Sequence, residues 1–166
     1  MSTSRPIVAV YPGSFDPITR GHEDIVRRTL RFTDELVIAV AHTATHAKSG
    51  LFGVDERVAM IREVFEGVDG VEVTSFRGLL AHFARERNAH FVIRGLRAVS
   101  DFEYEFQMAL MNQEIWSDIE TIFLTPDANY SFLSASLVRE VAALGGDVSK
   151  FVSPSVLRRL EERYGA

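Results

Sequence analysis

A doubly wound α/β fold with a mostly parallel sheet of five strands is what this sequence predicts, and three observations carry that expectation. Apolar runs at Ile7 to Tyr11 and Glu35 to Ala41 lack polar alternation, the pattern of strands covered by helices on both faces. Helical spacing lies between them, and a strand, a helix and a second strand within about forty residues describe a parallel crossover. The turn residues Pro12, Gly13, Asp16 and Pro17 mark the first change of period. No repeat, low-complexity tract or linker divides the chain, so residues 1–166 are expected to form a single domain. A chain of that length buries roughly two thirds of its unfolded surface and needs no covalent staple.

In chain order, helical spacing begins at Gly21 and runs through Ile25, Val26, Thr29 and Leu30. After the second strand, His42 to Gly53 is rich in Thr, Ala, Ser and Gly and reads as a loop. Lys48 is its one basic residue apart from histidines. Val54 to Phe65 is helical through Val58, Met60, Ile61 and Val64, Val71 to Thr74 alternates as a short strand, and Gly78 to Ala84 returns to helix. Leu79 and Leu80 default to core there. Phe91 to Arg97 is a buried strand that ends in two arginines. Phe102, Phe106, Met108, Leu110, Met111 and Ile115 cover too much of the next helix for one buried stripe. Contact with another subunit and an internal core position explain that equally well. Thr121 to Pro126 reads as the last strand, Tyr130 to Glu140 as a hydroxyl-rich turn entering a helix, and Pro154 to Arg163 as a terminal amphipathic helix.

The formal charge is −5 and no Lys/Arg block or basic stripe occurs, which argues against a nucleic-acid binder. Any anionic ligand must therefore be met by a local cluster. The absence of cysteine excludes a disulfide framework and a thiolate metal site. No apolar run approaches the roughly 18 residues of a membrane span, and the polar N-terminus is too short for a signal peptide, so a cytoplasmic location is expected.

A strand ending in a polar loop that enters a helix aims free N–H groups and a positive dipole end at one spot, which suits phosphate. Ser14 and His22 lie there as donors. The loop is neither a dinucleotide turn nor a Walker A loop, because Gly13 and Gly21 are eight apart and no Gly-Lys-Ser/Thr follows. Arg94 and Arg97 emerge at the carboxyl edge of the expected sheet, where open α/β folds bind ligands, and offer forked donors to phosphate oxygens. Ser134 and Ser136 serve either as helix caps or as a second phosphate site.

The run Tyr11-Pro12-Gly13-Ser14-Phe15-Asp16-Pro17-Ile18-Thr19-Arg20-Gly21-His22 resembles the signature of the nucleotidyltransferases, and more narrowly that of the phosphopantetheine adenylyltransferase family. So do Arg94-Gly95-Leu96-Arg97 with Asp101-Phe102-Glu103-Tyr104-Glu105, and the turn Tyr130 to Arg139. The resemblance runs from Val8 through Arg163. It implies a Rossmann-like domain that transfers AMP from ATP to 4′-phosphopantetheine, giving dephospho-coenzyme A and pyrophosphate, with Mg²⁺ carried on ATP and no protein-held metal. It implies His22, Ser14, Lys48 and Arg97 as catalytic residues. ATP would meet Gly13, Ser14, Phe15, His22, Arg97, Glu105, Tyr130, Ser134, Ala135 and Ser136, and phosphopantetheine would meet Ser14, Lys48, Leu80 and Arg94.

Three departures from the family pattern stand out. Thr45-His46 replaces the usual Asn-Pro before Lys48, Gly53 replaces the Thr or Ser that caps the second helix, and Ala135 replaces a serine in the phosphate turn. Glycine caps a helix only a few tenths of a kcal/mol less well than serine, whereas Ala135 removes a side-chain donor and predicts weaker ATP binding. The resemblance also implies a homohexamer and coenzyme A as a feedback ligand. Two alternatives are a nucleotidyltransferase with another phosphate acceptor, which the match from Arg94 to Asn112 disfavours, and a non-catalytic coenzyme A or nucleotide sensor.

Overall fold

The computed structural model describes residues 5–42, 50–97 and 99–165. Five strands, β1 (Val8–Gly13), β2 (Glu35–Ala41), β3 (Val71–Phe76), β4 (Phe91–Gly95) and β5 (Glu120–Leu124), form one sheet in the order β3-β2-β1-β4-β5. Every neighbouring pair is parallel, so the sheet expected to be mostly parallel is wholly so. The chain begins in the middle, winds outward through β2 and β3, then crosses back to place β4 on the other side of β1. That reversal opens a crevice beyond the carboxyl ends of β1 and β4, the place where doubly wound sheets bind ligands.

Helices α1 (Arg20–Thr29), α2 (Val54–Val64), α3 (Leu80–Glu86), α4 (Val99–Ile115), α5 (Ala135–Ala143) and α6 (Pro154–Tyr164) cover the sheet. The unbroken apolar runs are explained by the two layers they feed. Ala9, Tyr11, Leu36, Ile38, Val40 and Ile93 join a core with residues of α1, α2, α5 and α6. Their sequence neighbours Val8, Val10, Val37, Ala39 and Val92 join a second core with Ala84 of α3, bordered by Trp116. Successive side chains of a strand point to opposite faces, and here both faces are dry.

Helix starts decide where the site lies. α1 begins one residue before Gly21 because Thr19 caps it: the Thr19 hydroxyl accepts the His22 N–H at 3.5 Å while His22 Nδ1 accepts the Thr19 N–H at 3.0 Å. His22 thus takes the place that Glu or Gln holds in an ordinary capping box. α2 is capped by Gly53, whose N–H donates to Glu56 Oε2 at 2.7 Å. α5 is capped by Ser134, whose hydroxyl accepts the Leu137 N–H at 3.1 Å.

Candidate active site

The end of β1 turns sharply at Gly13 to Pro17. Phe15 has a φ of +46°, a left-handed conformation that a bulky residue adopts only when packing over-determines it. The packing is visible: the Phe15 ring is 2 % exposed and meets Tyr11 and His22 edge-on at 5.2 and 5.0 Å between centroids. Holding Phe15 inward leaves Ser14 exposed at the crevice. The ring cluster also fixes the imidazole of His22 from one side while the capping box fixes it from the other.

Because Nδ1 of His22 accepts a backbone N–H, the neutral ring carries its proton on Nε2. The ring stays neutral. Burial, then the positive charges of Arg97 and Arg94, lower its pKa from 6.5 to about 4. The result is a neutral hydrogen-bond donor. Burial likewise pushes the Tyr11 phenol far above its ordinary value, so it too is uncharged.

Two arginines rise from the end of β4. Arg94 spans the gap to β1: its Nη1 donates to the Pro12 carbonyl at 3.1 Å, while Nε donates to Glu105 Oε2 at 2.7 Å and Nη2 to Glu105 Oε1. Burial works against its charge, but the Glu105 carboxylate more than offsets it and the guanidinium is held protonated. Of five guanidinium N–H groups, two remain for a ligand. Arg97 is held more loosely, 3.8 Å from Asp101 Oδ2 and 3.5 Å from the Leu133 carbonyl, and its side chain is half exposed.

These groups share one cavity of about 610 Å³. Gly13, Ser14, Phe15, His22, Arg94, Arg97, Glu105, Tyr130, Ser134, Ala135 and Ser136 all line it. Two expected residues stand apart. Leu80 does not line the cavity and packs against the second core at the start of α3, while Lys48 lies outside the described residues. Glu105, expected near the ATP ribose or triphosphate, commits both carboxylate oxygens to Arg94.

Several lining residues were not singled out by sequence reasoning. Thr19 could have been, from the Thr-x-x-His spacing of a capping box. Asp16 and Arg139 lie in the family-like motifs without a role assigned there, and Arg57 carries no local signal; what distinguishes all three is a meeting of three distant segments. Asp16 accepts N–H groups from Leu51 and Phe52 at 2.8 and 3.0 Å and lies between both arginines.

A parallel sheet with its cationic crevice at the switch point, faced by two helix N-termini, defines an α/β protein built to bind phosphates. The family model described as cytidylyltransferase-like matches residues 10–141. The phosphopantetheine adenylyltransferase of Cupriavidus metallidurans is 57 % identical over 159 residues, covering 96 % of this chain and 98 % of that one. The enzyme of the same name from Nitrosomonas eutropha is 56 % identical over 154 residues, 93 % of each chain. In fold, the chain matches a Plasmodium falciparum nicotinic acid mononucleotide adenylyltransferase complexed with APC, with a TM-score of 0.67 at 15 % identity over 97 % of this chain and 96 % of that one. The chain belongs to the cytidylyltransferase-like family and, within it, to the phosphopantetheine adenylyltransferases.

Proposed function

We propose that this enzyme transfers the adenylyl group of ATP to the phosphate of 4′-phosphopantetheine, releasing pyrophosphate and forming dephospho-coenzyme A. The observation that carries the reading is the convergence of Ser14, His22, Arg94, Arg97 and the α5 turn on one cavity. An oxygen of the acceptor phosphate forms a bond to the α-phosphorus of ATP as the bond from that phosphorus to the β-phosphate bridging oxygen breaks. The electron pair leaves with pyrophosphate. The attacking oxygen is already an anion, so no general base is needed. This suits a His22 that offers a proton in a hydrogen bond but does not titrate near neutrality.

The chain's work is alignment and charge stabilisation. Nε2–H of His22 would donate to the α-phosphate as charge builds there, with the Ser14 hydroxyl beside the acceptor oxygen. Arg94, fixed by Glu105 and Pro12, would hold the acceptor phosphate with its two spare N–H groups. Arg97, loosely held, is free to follow the triphosphate; Lys48 keeps the acceptor-side role that the family resemblance implies, and Leu80, packed on the second core, would meet the pantetheine arm only beyond this cavity. The N-terminus of α5 at Ser134–Ser136 would receive the distal phosphates.

Among the described residues no cluster of three or more His, Cys, Asp or Glu could hold a metal ion. The carboxylates at the cavity are engaged by arginines, so Mg²⁺ suits the phosphate oxygens better than the protein. It would supply charge neutralisation on the triphosphate. No described helix is long and apolar enough to cross a membrane. A cytoplasmic single-domain subunit, assembled as a homohexamer and responsive to coenzyme A, completes the proposal. Incubation with ATP, Mg²⁺ and 4′-phosphopantetheine, followed by mass detection of dephospho-coenzyme A, tests the reaction. Pyrophosphate release with a different phosphate acceptor but not this one would reassign the substrate.

A further inference from the structure

We infer that Asp16 is a positioning residue that sets the Arg139 guanidinium at the nucleotide end of the cavity, an inference that rests on the nucleotide reading above. A carboxylate beside an anion site is a contradiction unless its charge is spoken for, and here it is. The Asp16 side chain is 7 % exposed, and its two oxygens accept the N–H groups of Leu51 at 2.8 Å and Phe52 at 3.0 Å. Arg57 Nε stands 3.6 Å from Oδ1 and Arg139 Nη1 stands 3.7 Å from Oδ2.

Arg57 is itself locked. Its Nε donates to the Phe52 carbonyl at 2.7 Å and its Nη1 to the Ser14 carbonyl at 3.1 Å, so its charge is spent inside the protein. Arg139 is different. It donates to the main-chain carbonyl of Asp16 and, through Nη2, to the Ser136 hydroxyl at 3.3 Å, yet its side chain is 30 % exposed and lines the cavity. One carboxylate between two guanidiniums leaves a net positive charge, and burial of Arg57 directs that remainder to Arg139, next to the first turn of α5. The junction has no slack. A Cβ on Gly50 would overlap Asp16 Oδ2 and come within 2.5 Å of Arg57 Nη2.

The consequence is selective. Phosphates beyond the α position should depend on Asp16, because they are the part of ATP that reaches the N-terminus of α5; the nucleoside monophosphate should not. Asp16→Asn keeps the size of the side chain but presents an amide N–H₂ to groups that are all donors. Titration calorimetry with ATP and with AMP, on wild type and variant, reads the difference. The expected result is an ATP dissociation constant raised about tenfold and an AMP constant changed less than about twofold. In an Arg139→Ala background the same substitution should change ATP affinity less than about twofold, since the effect acts through that arginine.

Equal weakening of ATP and AMP would reduce Asp16 to a general structural role and overturn the inference. So would unchanged ATP affinity, or an Asp16→Asn effect undiminished in the Arg139→Ala background. Wild-type protein that binds neither nucleotide would overturn the nucleotide reading itself. Should Asp16→Asn fail to fold, Gly50→Ala displaces the same junction without altering any charge. It must then show the same selective loss of ATP binding, and equal loss of AMP binding would refute the inference.

Discussion

His22 joins the proposed chemistry to the capping of α1. If its neutral Nε2–H stabilises charge at the α-phosphate, His22→Ala should lower turnover by about 100-fold or more while ATP affinity changes far less. Steady-state kinetics beside a nucleotide titration checks this, and near-normal turnover would remove the imidazole from the reaction. The same neutrality has a pH signature. The unfolded chain binds a proton at this histidine near pH 6.5 and the folded protein only near pH 4. Between those values stability rises with pH, by at most about 1.4 kcal/mol per unit from this group, and above them His22 adds nothing to the slope. Urea unfolding of His22→Gln should therefore lose less stability than wild type on acidification through that window. That Ser14, His22, Arg94 and Arg97 share one cavity was legible in the sequence because each sits in a local run of donors or turn residues at the carboxyl edge of the sheet. The pairing of Glu105 with Arg94 and of Asp16 with Arg57 and Arg139 was not legible, since it joins side chains that only the crossover topology brings together. Leu80 shows the opposite limit: a leucine at a helix start reads equally as ligand contact or core, and in this structure it packs on the core.

Among the elements, α5 carries one of the three departures from the family pattern, at Ala135. Ser134 spends its hydroxyl on the Leu137 N–H, so it stabilises the helix that a phosphate would approach. Ser134→Ala should cost about 1 kcal/mol and lower the unfolding midpoint by about 2–4 °C. Ala135, the first residue of the helix, offers no side-chain donor at the cavity. Ala135→Ser should tighten ATP binding a few-fold, at most about one charge-assisted hydrogen bond's worth; an unchanged dissociation constant by calorimetry would mean that the backbone amides suffice. Element type was readable from period and turn chemistry, and β2 coincides with its apolar run from Glu35 to Ala41. Strand order was not readable. Whether β4 returns beside β1 or continues outward from β3 depends on which faces the helices cover, and periodicity carries no such information. β1 also outran its apolar run, because Pro12 and Gly13 still pair with Ala39 and Val40 of β2.

At the scale of the molecule, a chain of net charge −5 carries a local cationic crevice and, among the described residues, a largely exposed apolar face on α4. Phe102, Phe106, Leu110 and Met111 of α4 are 46, 47, 49 and 57 % exposed. The Phe102 and Phe106 rings stack on each other at 5.7 Å, and Phe102 also meets Phe123 of β5 at 6.1 Å, yet both remain nearly half exposed. The excess of apolar residues on this helix is therefore not absorbed by an internal core, which was one of its two explanations. Contiguous apolar surface of this kind marks an association site, and the proposed hexamer would cover it. Because these side chains contribute little to the core of the monomer, replacing them should spare the fold and strike the assembly alone. Leu110→Glu, which sets a carboxylate in the middle of the face, should reduce the mass measured by light scattering from that of the assembly toward a single 18.6 kDa chain, with the circular dichroism spectrum unchanged. An undiminished mass would place the subunit contacts on another surface and leave the exposure of α4 without an occupant.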